Sequence, residues 1–422
     1  MSFRLFLIGA AVSLFVAFAP GCQQREEESG MPELPLPTPI AMHPLSEGAV
    51  VSGTTAFGIA LLRELAPALK PDENLFLSPY SLSQAMLLAV NGSQGKMRTG
   101  LLEALSLDTT PLDTVNDDSR ALMGLLVPPM HTENGTSVPA YEWTVVNAVW
   151  STVAPKQDYV DTVARCYGAD ALPFIGAGGV NLWAHEKTRG AVPQMMDPLL
   201  SWPVELLLTN AVHFKGVWES PFPVYDTSDE PFYNIGGTTQ RPFMHREDRQ
   251  MRWHSGSNYE AVSLPYRGGV SMVVILPRSG NSATDFAAAF SLDGWNVMQN
   301  GFQPKWIALA LPKFEIKNSA LLGKPLESRG VPSLGDFSPV AESLRGKQIT
   351  YVVHNTLLRV NEEGTEAAAV TMMGPSQGFA MSEPKEKPRP FVVNRPFLCA
   401  IVHDTTGTVL FLGVINDPKV TQ

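Results

Sequence analysis

Close to its C-terminal end the chain runs from a strand-like stretch, Thr350 to Val360, into Asn361-Glu362-Glu363-Gly364-Thr365-Glu366-Ala367-Ala368-Ala369-Val370-Thr371. A turn-rich polar stretch, Met372 to Pro390, follows. No other junction constrains the fold as much. The small side chains of Ala367, Ala368 and Ala369 leave the backbone unencumbered. Laid down as a strand, the segment would place Thr365, Ala367, Ala369, Thr371 and Met373 on one face and Glu366 on the other. A segment that is a solvated loop in one state and a half-buried strand in another needs that alternation, and Gly364 supplies a flexible start. The pattern implies two states for one piece of chain.

The rest of the sequence indicates what such a segment would join. Thr54 to Leu65, Ser81 to Ala89, Gly100 to Leu105 and Tyr159 to Tyr167 carry helical periodicity. Trp143 to Trp150 alternates as a strand, and Val204 to Phe214, Val270 to Leu276, Trp306 to Phe314 and Thr350 to Val360 are strand-like runs. Phe397 to Asp404 and Thr408 to Val414, joined through Thr405-Thr406-Gly407, form a hairpin expected to seal the core. Helices early and strands later predict an α+β fold. No repeat and no second long linker before residue 374 interrupt the chain, so one domain is expected over about residues 47–422.

At the other end Arg4 precedes an apolar run from Leu5 to Phe18, too short to span a bilayer as a helix and readable as a signal peptide over residues 1–21. The run closes in Ala19-Pro20-Gly21-Cys22, which resembles a bacterial lipobox with Ala19 in place of the usual leucine. Cys22 is then the acylated first residue of the mature chain, and the alternative is an ordinary secretory signal cut nearby. Residues 22–46 carry charge and five prolines without an apolar period, and read as a tether holding the domain off a membrane. The expected location is extracytoplasmic, lipid-anchored to the cell envelope at the outer membrane or cell surface. Gln23 is not the aspartate that retains lipoproteins in many inner membranes.

Composition removes several classes. With 31 Lys+Arg against 41 Asp+Glu the net charge is −10, and no run of five basic residues occurs, so nucleic acid is not an expected partner. Cys22, Cys166 and Cys399 are too few and too scattered for a disulfide framework or a metal knuckle, and Cys166 and Cys399 read as isolated thiols. No Gly-x-Ser-x-Gly elbow is present, and His185-Glu186 continues as Lys187-Thr188 rather than completing a zinc motif. No enzyme, catalytic residue, metal or cofactor is expected. The Asn-x-Ser/Thr sequons at Asn91 and Asn134 carry little meaning in a bacterial chain.

The EEGTEAAA run of Glu362 to Ala369 resembles the hinge of a serpin reactive-centre loop in its inhibitory form. The resemblance covers about residues 47–422. Asn74-Leu75-Phe76-Leu77-Ser78-Pro79-Tyr80-Ser81 is similar to the start of that family's second helix. Thr209-Asn210-Ala211-Val212-His213-Phe214-Lys215-Gly216-Val217-Trp218 is similar to its strand-to-turn signature, and Leu311-Pro312-Lys313-Phe314 and Asn394-Arg395-Pro396-Phe397 follow in the family's order. The resemblance implies helices packed on a large central sheet with smaller sheets, and an exposed loop over about residues 361–393. It also implies a hinge at Glu362, Glu363, Gly364, Thr365, Glu366, Ala367, Ala368 and Ala369. Ser78, Ser81, Asn210 and His354 would form a polar cluster where the sheet opens, and Trp218 would lie where the loop enters. For stability alone, a set of satisfied buried polar groups and a core tryptophan is a sufficient reading.

The family's behaviour, not spacing in this chain, supplies the expected mechanism. A protease cuts the loop, the loop inserts as a new sheet strand, and the acyl-enzyme is dragged and distorted. Family spacing from Glu362 lands on Gly378 or one residue on, at Phe379, and the reactive bond is expected beside Phe379, among Gly378, Phe379 and Ala380. Phe379 suits a chymotrypsin-like enzyme, whereas Gly378 or Ala380 suits an elastase-like or subtilisin-like one. Two features depart from the family: the loop is several residues longer, and Pro375 falls where an inserted strand would donate hydrogen bonds. A monomer is expected, with a target protease as partner. The rival expectation is a non-inhibitory serpin, a binding, carrier or scaffold module whose loop never inserts.

Overall fold

The computed structural model describes residues 48–133, 135–190, 192, 194–197, 204–321, 323–347, 351–365 and 387–420. Cys22, Glu366 to Ala369, Pro375 and Gly378 to Ala380 lie outside the described residues. The described helices are α1 (Ala49–Leu65), α2 (Pro79–Gly92), α3 (Gly95–Ala104), α4 (Leu112–Leu125), α5 (Gln157–Tyr167), α6 (Ala177–Lys187), α7 (Ala283–Ala289), α8 (Leu292–Asn300) and α9 (Gly323–Ser328). The first strands are β1 (Leu75–Leu77), β2 (Met130–Glu133), β3 (Thr136–Pro139), β4 (Tyr141–Ser151), β5 (Asp170–Pro173) and β6 (Leu206–Val217). Then come β7 (Ser228–Asn234), β8 (Gly237–Ser255), β9 (Tyr259–Tyr266), β10 (Val270–Pro277), β11 (Gln303–Pro312), β12 (Phe314–Leu321) and β13 (Gly335–Asp336). The last are β14 (Arg345–Lys347), β15 (Tyr351–Val360), β16 (Gly364–Thr365), β17 (Arg389–Val392), β18 (Phe397–His403) and β19 (Val409–Ile415).

Two large sheets carry the architecture. One is ordered β12-β15-β16-β6-β4-β5, the other β1-β19-β18-β10-β9-β8-β11-β17 with β7 paired to β8, and β13-β14 and β2-β3 are small ribbons. This is the expected α+β arrangement of helices on a large mixed sheet with smaller sheets. The sheets meet through aromatic side chains: Phe214 of β6 lies 5.2 Å from Tyr266 of β9, and Trp143 of β4 lies 5.9 Å from Phe411 of β19, both edge-on.

Helix α2 runs through this core. Ser78 caps it by accepting from the Ser81 amide, Pro79 starts it without an amide to orphan, and every residue but Asn91 is buried. Helix α1 is apolar enough, with its continuation to Ala68, to cross a membrane, yet most of it is buried in the protein. It packs on α2 so closely that a Cβ at Gly58 would lie 2.3 Å from the Pro79 ring.

The expected run Trp306 to Phe314 is not one strand. Strand β11 ends at Pro312 in one sheet and β12 begins at Phe314 in the other, with Lys313 between them donating its amide to the Pro242 carbonyl at 2.8 Å. Alternating side chains continue across this change of sheet, so periodicity alone cannot reveal it. Strand β8, 19 residues long and rich in Arg, Gln and Thr, likewise lacks an apolar run to announce it.

Candidate functional site

Strands β15 and β6 are parallel neighbours from Tyr351↔Leu207 to Leu357↔His213. Above that pairing they part, and β16 lies between them. Thr365 pairs with Val360 on one side and Gly216 on the other, and Gly364 pairs with Val217. Only glycine fits at 364, since a Cβ there would come within 2.0 Å of the Gly216 carbonyl oxygen. The sheet is thus closed along most of its length and wedged open at one end by Gly364 and Thr365, two of the residues expected to form a hinge.

Several contacts hold the wedge. The Asn361 amide donates to the Gly364 carbonyl at 2.9 Å, and its side-chain oxygen accepts from the Glu363 and Gly364 amides, closing a tight turn out of β15. Trp218, fully buried, donates from Nε1 to the Asn361 carbonyl at 2.9 Å and from its amide to the Glu363 carbonyl at 2.8 Å. Its ring stacks on Tyr266 at 4.1 Å, and the Tyr266 hydroxyl shares a 2.5 Å hydrogen bond with Thr365 Oγ1. Burial raises the Tyr266 pKa well above the ordinary phenol value, so this hydroxyl stays protonated. Glu362 turns away from the sheet, meeting Lys313 Nζ at 2.9 Å and accepting from Thr227 Oγ1 at 2.8 Å. Burial opposes its charge, but the hydrogen bonds and the Lys313 charge prevail and hold its pKa below the ordinary carboxylate value.

Further down the same seam lies the polar cluster. His354 and Asn210 face each other across β15 and β6, with His354 Nδ1 2.7 Å from Asn210 Oδ1. His354 Nε2 accepts from the Ser78 amide at 3.0 Å, which leaves Nδ1 as the protonated nitrogen. Ser78 Oγ donates to the Leu410 carbonyl of β19 at 2.6 Å. Asn210 Nδ2 contacts Ser81 Oγ and donates to Asn147 Oδ1 of β4 at 2.6 Å. Burial alone drives the His354 pKa down to about 3, so the ring is neutral and the cluster uncharged. The bond across β15 and β6 would have to break for any strand to pass between them.

Ser78, Ser81, Asn210 and His354 therefore meet in one cluster, and Trp218, Glu362, Glu363, Gly364 and Thr365 meet at the wedge. Sequence reasoning missed Asn147, Thr227, Tyr266 and Lys313. Lys313 lies inside the Leu311–Phe314 run, but its partner is 49 residues away, and nothing in the sequence near Tyr266 points to Thr365. Among the described residues, no group of three or more His, Cys, Asp or Glu side chains is placed to hold a metal ion.

A model of the serpin (serine protease inhibitor) family matches residues 52–418. The chain belongs to the serpin family. This serpin is 29% identical to leukocyte elastase inhibitor A of Mus musculus, over 87% of this chain and 99% of that one. It is 30% identical to Iripin-8 of Ixodes ricinus, over 85% and 91%. Human thyroxine-binding globulin in complex with thyroxine shares the fold at a TM-score of 0.77 and 24% identity, over 88% of this chain and 99% of that chain. The family thus includes a protein named as an elastase inhibitor, and the fold is shared with one crystallised with thyroxine.

Proposed function

We propose that this serpin is a suicide-substrate inhibitor of endopeptidases that work through an acyl-enzyme, of serine or cysteine type. The observation that carries the reading is the wedge: Gly364 and Thr365 already occupy strand positions between β15 and β6. If cleavage frees the segment that follows, each further residue moves one step down both neighbours. Thr371 then comes opposite His354 and Asn210, on the face where Thr365 is buried, and its hydroxyl would replace a partner that each loses when the sheet parts. Pro375 arrives at Leu206, the first residue of β6, one step beyond Tyr351 at the start of β15. A proline at the end of a strand forfeits no interior ladder bond, so the departure noted in the sequence is compatible with full insertion.

Residues facing the core on that path, Thr365, Ala367, Ala369, Thr371 and Met373, are small or apolar, whereas a loop that never inserts has no need of such a face. Ser78, Ser81, Asn210 and His354 act as the latch that must open, and the reactive bond lies beside Phe379, with Gly378 and Ala380 as its neighbours. The test incubates the protein with chymotrypsin-like, elastase-like, subtilisin-like, trypsin-like and papain-like proteases. A covalent band at the summed mass, a released peptide beginning near Phe379 or Ala380, and a gain in heat resistance after cleavage are expected. If every protease nicks the loop and stays active, and the nicked chain gains no heat resistance, a binding or carrier role takes its place.

The N-terminal segment supports a second part of the reading. Residues 1–21 act as a signal peptide, Cys22 is acylated, and residues 22–46 tether the serpin to the cell envelope. Mass spectrometry of the mature chain should find a lipid on Cys22, and Cys22→Ser should release the protein from the membrane fraction. An unmodified mature N-terminus elsewhere would reject the anchor.

A further inference from the structure

The chain carries ten net negative charges, yet one groove of about 530 Å³ between β8, β11 and β17 is lined by Arg249, Lys305, Lys387 and Arg389 and, among the described residues, by no carboxylate. One aromatic side chain, Trp306, lines it as well. The Arg249 guanidinium lies 4.3 Å over the half-buried Trp306 ring, and Arg389 lies 5.1 Å over Trp253. Arg389 also pairs with Glu260 at 2.5 Å, whereas Arg249, Lys305 and Lys387 reach no carboxylate among the described residues. Like charges gathered this way repel one another, and among the described residues Glu260 offsets Arg389 alone.

The position indicates what such an anion belongs to. Arg389 pairs with Ile307 at the first register position of β17, and Lys387 is where the described chain resumes after the reactive loop. Lys387 stands eight residues past Phe379, at most about 28 Å of extended chain, which keeps this groove within reach of a protease engaged on the reactive bond. Resting on the inhibitory reading, we propose that the groove is a docking surface for an acidic patch on the target protease, which speeds capture before the loop is cut. Electrostatic steering of this kind raises encounter rates by about tenfold or more at low salt and fades as salt rises.

The experiment compares chymotrypsin with chymotrypsin whose lysines have been succinylated, which turns surface cations into carboxylates without altering the fold. Equilibrium binding of both forms, each with its active-site serine blocked, is measured against the full-length protein and its Arg249→Glu/Lys305→Glu variant. Trapping by the unblocked enzymes is followed in parallel on gels. The proposal expects at least tenfold tighter binding of the succinylated form at 50 mM salt, lost in the variant and lost at about 0.5 M salt. Net charge alone would give the reverse preference. The variant's melting temperature should match the parent's, since both side chains are exposed. Equal binding of the two forms, or a preference that survives in the variant, overturns the proposal. Tight binding of dextran sulfate without any preference between the proteases also overturns it, in favour of a polyanionic saccharide. A binding preference without covalent trapping keeps the docking surface and rejects the inhibitory reading instead.

Discussion

The hydroxyls of Tyr266 and Thr365 lie 2.5 Å apart, joining the middle of one large sheet to the second of the two residues inserted in the other. Because Tyr266 also stacks on Trp218, the same ring supports the tryptophan that holds Asn361 and Glu363. Tyr266→Phe keeps the stack and removes the hydrogen bond, leaving a buried threonine hydroxyl unpaired. A stability loss of about 1–3 kcal/mol is expected, read by denaturant unfolding. An unchanged midpoint would mean that the Tyr266 hydroxyl does not help to hold Thr365 in place.

The latch should respond to pH. His354 is held neutral by burial, with a pKa of about 3 against an ordinary value of 6.5, so below pH 6.5 the unfolded state takes up a proton that the native state refuses. Its stabilising contribution is full above about pH 6.5 and is lost progressively as pH falls toward 3. From pH 7 to pH 5 the loss is about 2 kcal/mol for this one group. Burial also lowers His403, to about 4, and it acts in the same direction. Burial raises Asp404 to about 6, so its contribution has the opposite sign, present at low pH and lost as pH rises through 6. The comparison that isolates the latch is the pH profile of His354→Gln, which should be flatter than the parent's by that amount.

Glu362 and Lys313 form a partly buried pair that fastens the turn between β15 and β16. Lys313→Glu or Glu362→Lys alone places like charges together and is expected to cost about 3 kcal/mol or more. The double exchange should recover at least half of that loss. Unfolding curves of the four proteins provide the cycle, and additive losses would show that the two charges act separately.

Charge on the inserting face should decide between trapping and simple cleavage. Ala369→Glu would carry a carboxylate between β15 and β6 beside Thr356 and Val212 if insertion follows the register of β16. Burying it unpaired is costly enough to stall insertion. The variant should still be cut at the same bond yet form little covalent complex, whereas Glu366→Ala, on the opposite face, should trap as well as the parent. Equal trapping by Ala369→Glu would rule out this register.

Both described cysteines should be inert. Cys166 and Cys399 are buried free thiols whose pKa values burial raises, so an alkylating reagent should leave them unlabelled in the native protein and label them on unfolding.

The family, a helix over Ser81 to Ala89 and the closing hairpin were legible in the sequence, because each depends on neighbouring residues. The alternation from Thr365 onward is a property of a few consecutive side chains, whereas the structure starts the helix two residues earlier than expected, at Pro79, with Ser78 as its cap. Sequence order alone could not show that β11 and β12 part company at Lys313, that Tyr266 reaches Thr365, or that Asn147 completes the cluster around Asn210. Tyr266 and Thr365 lie 99 residues apart on different sheets, and Asn147 and Asn210 lie 63 residues apart on paired strands of one sheet. Only burial of both sheets against one core brings their polar atoms within hydrogen-bond distance, and an unpaired polar atom there would cost more than the bond contributes. The basic groove arises the same way: Arg249, Lys305, Lys387 and Arg389 are scattered singly along an acidic chain, and the pairing of β8, β11 and β17 concentrates them.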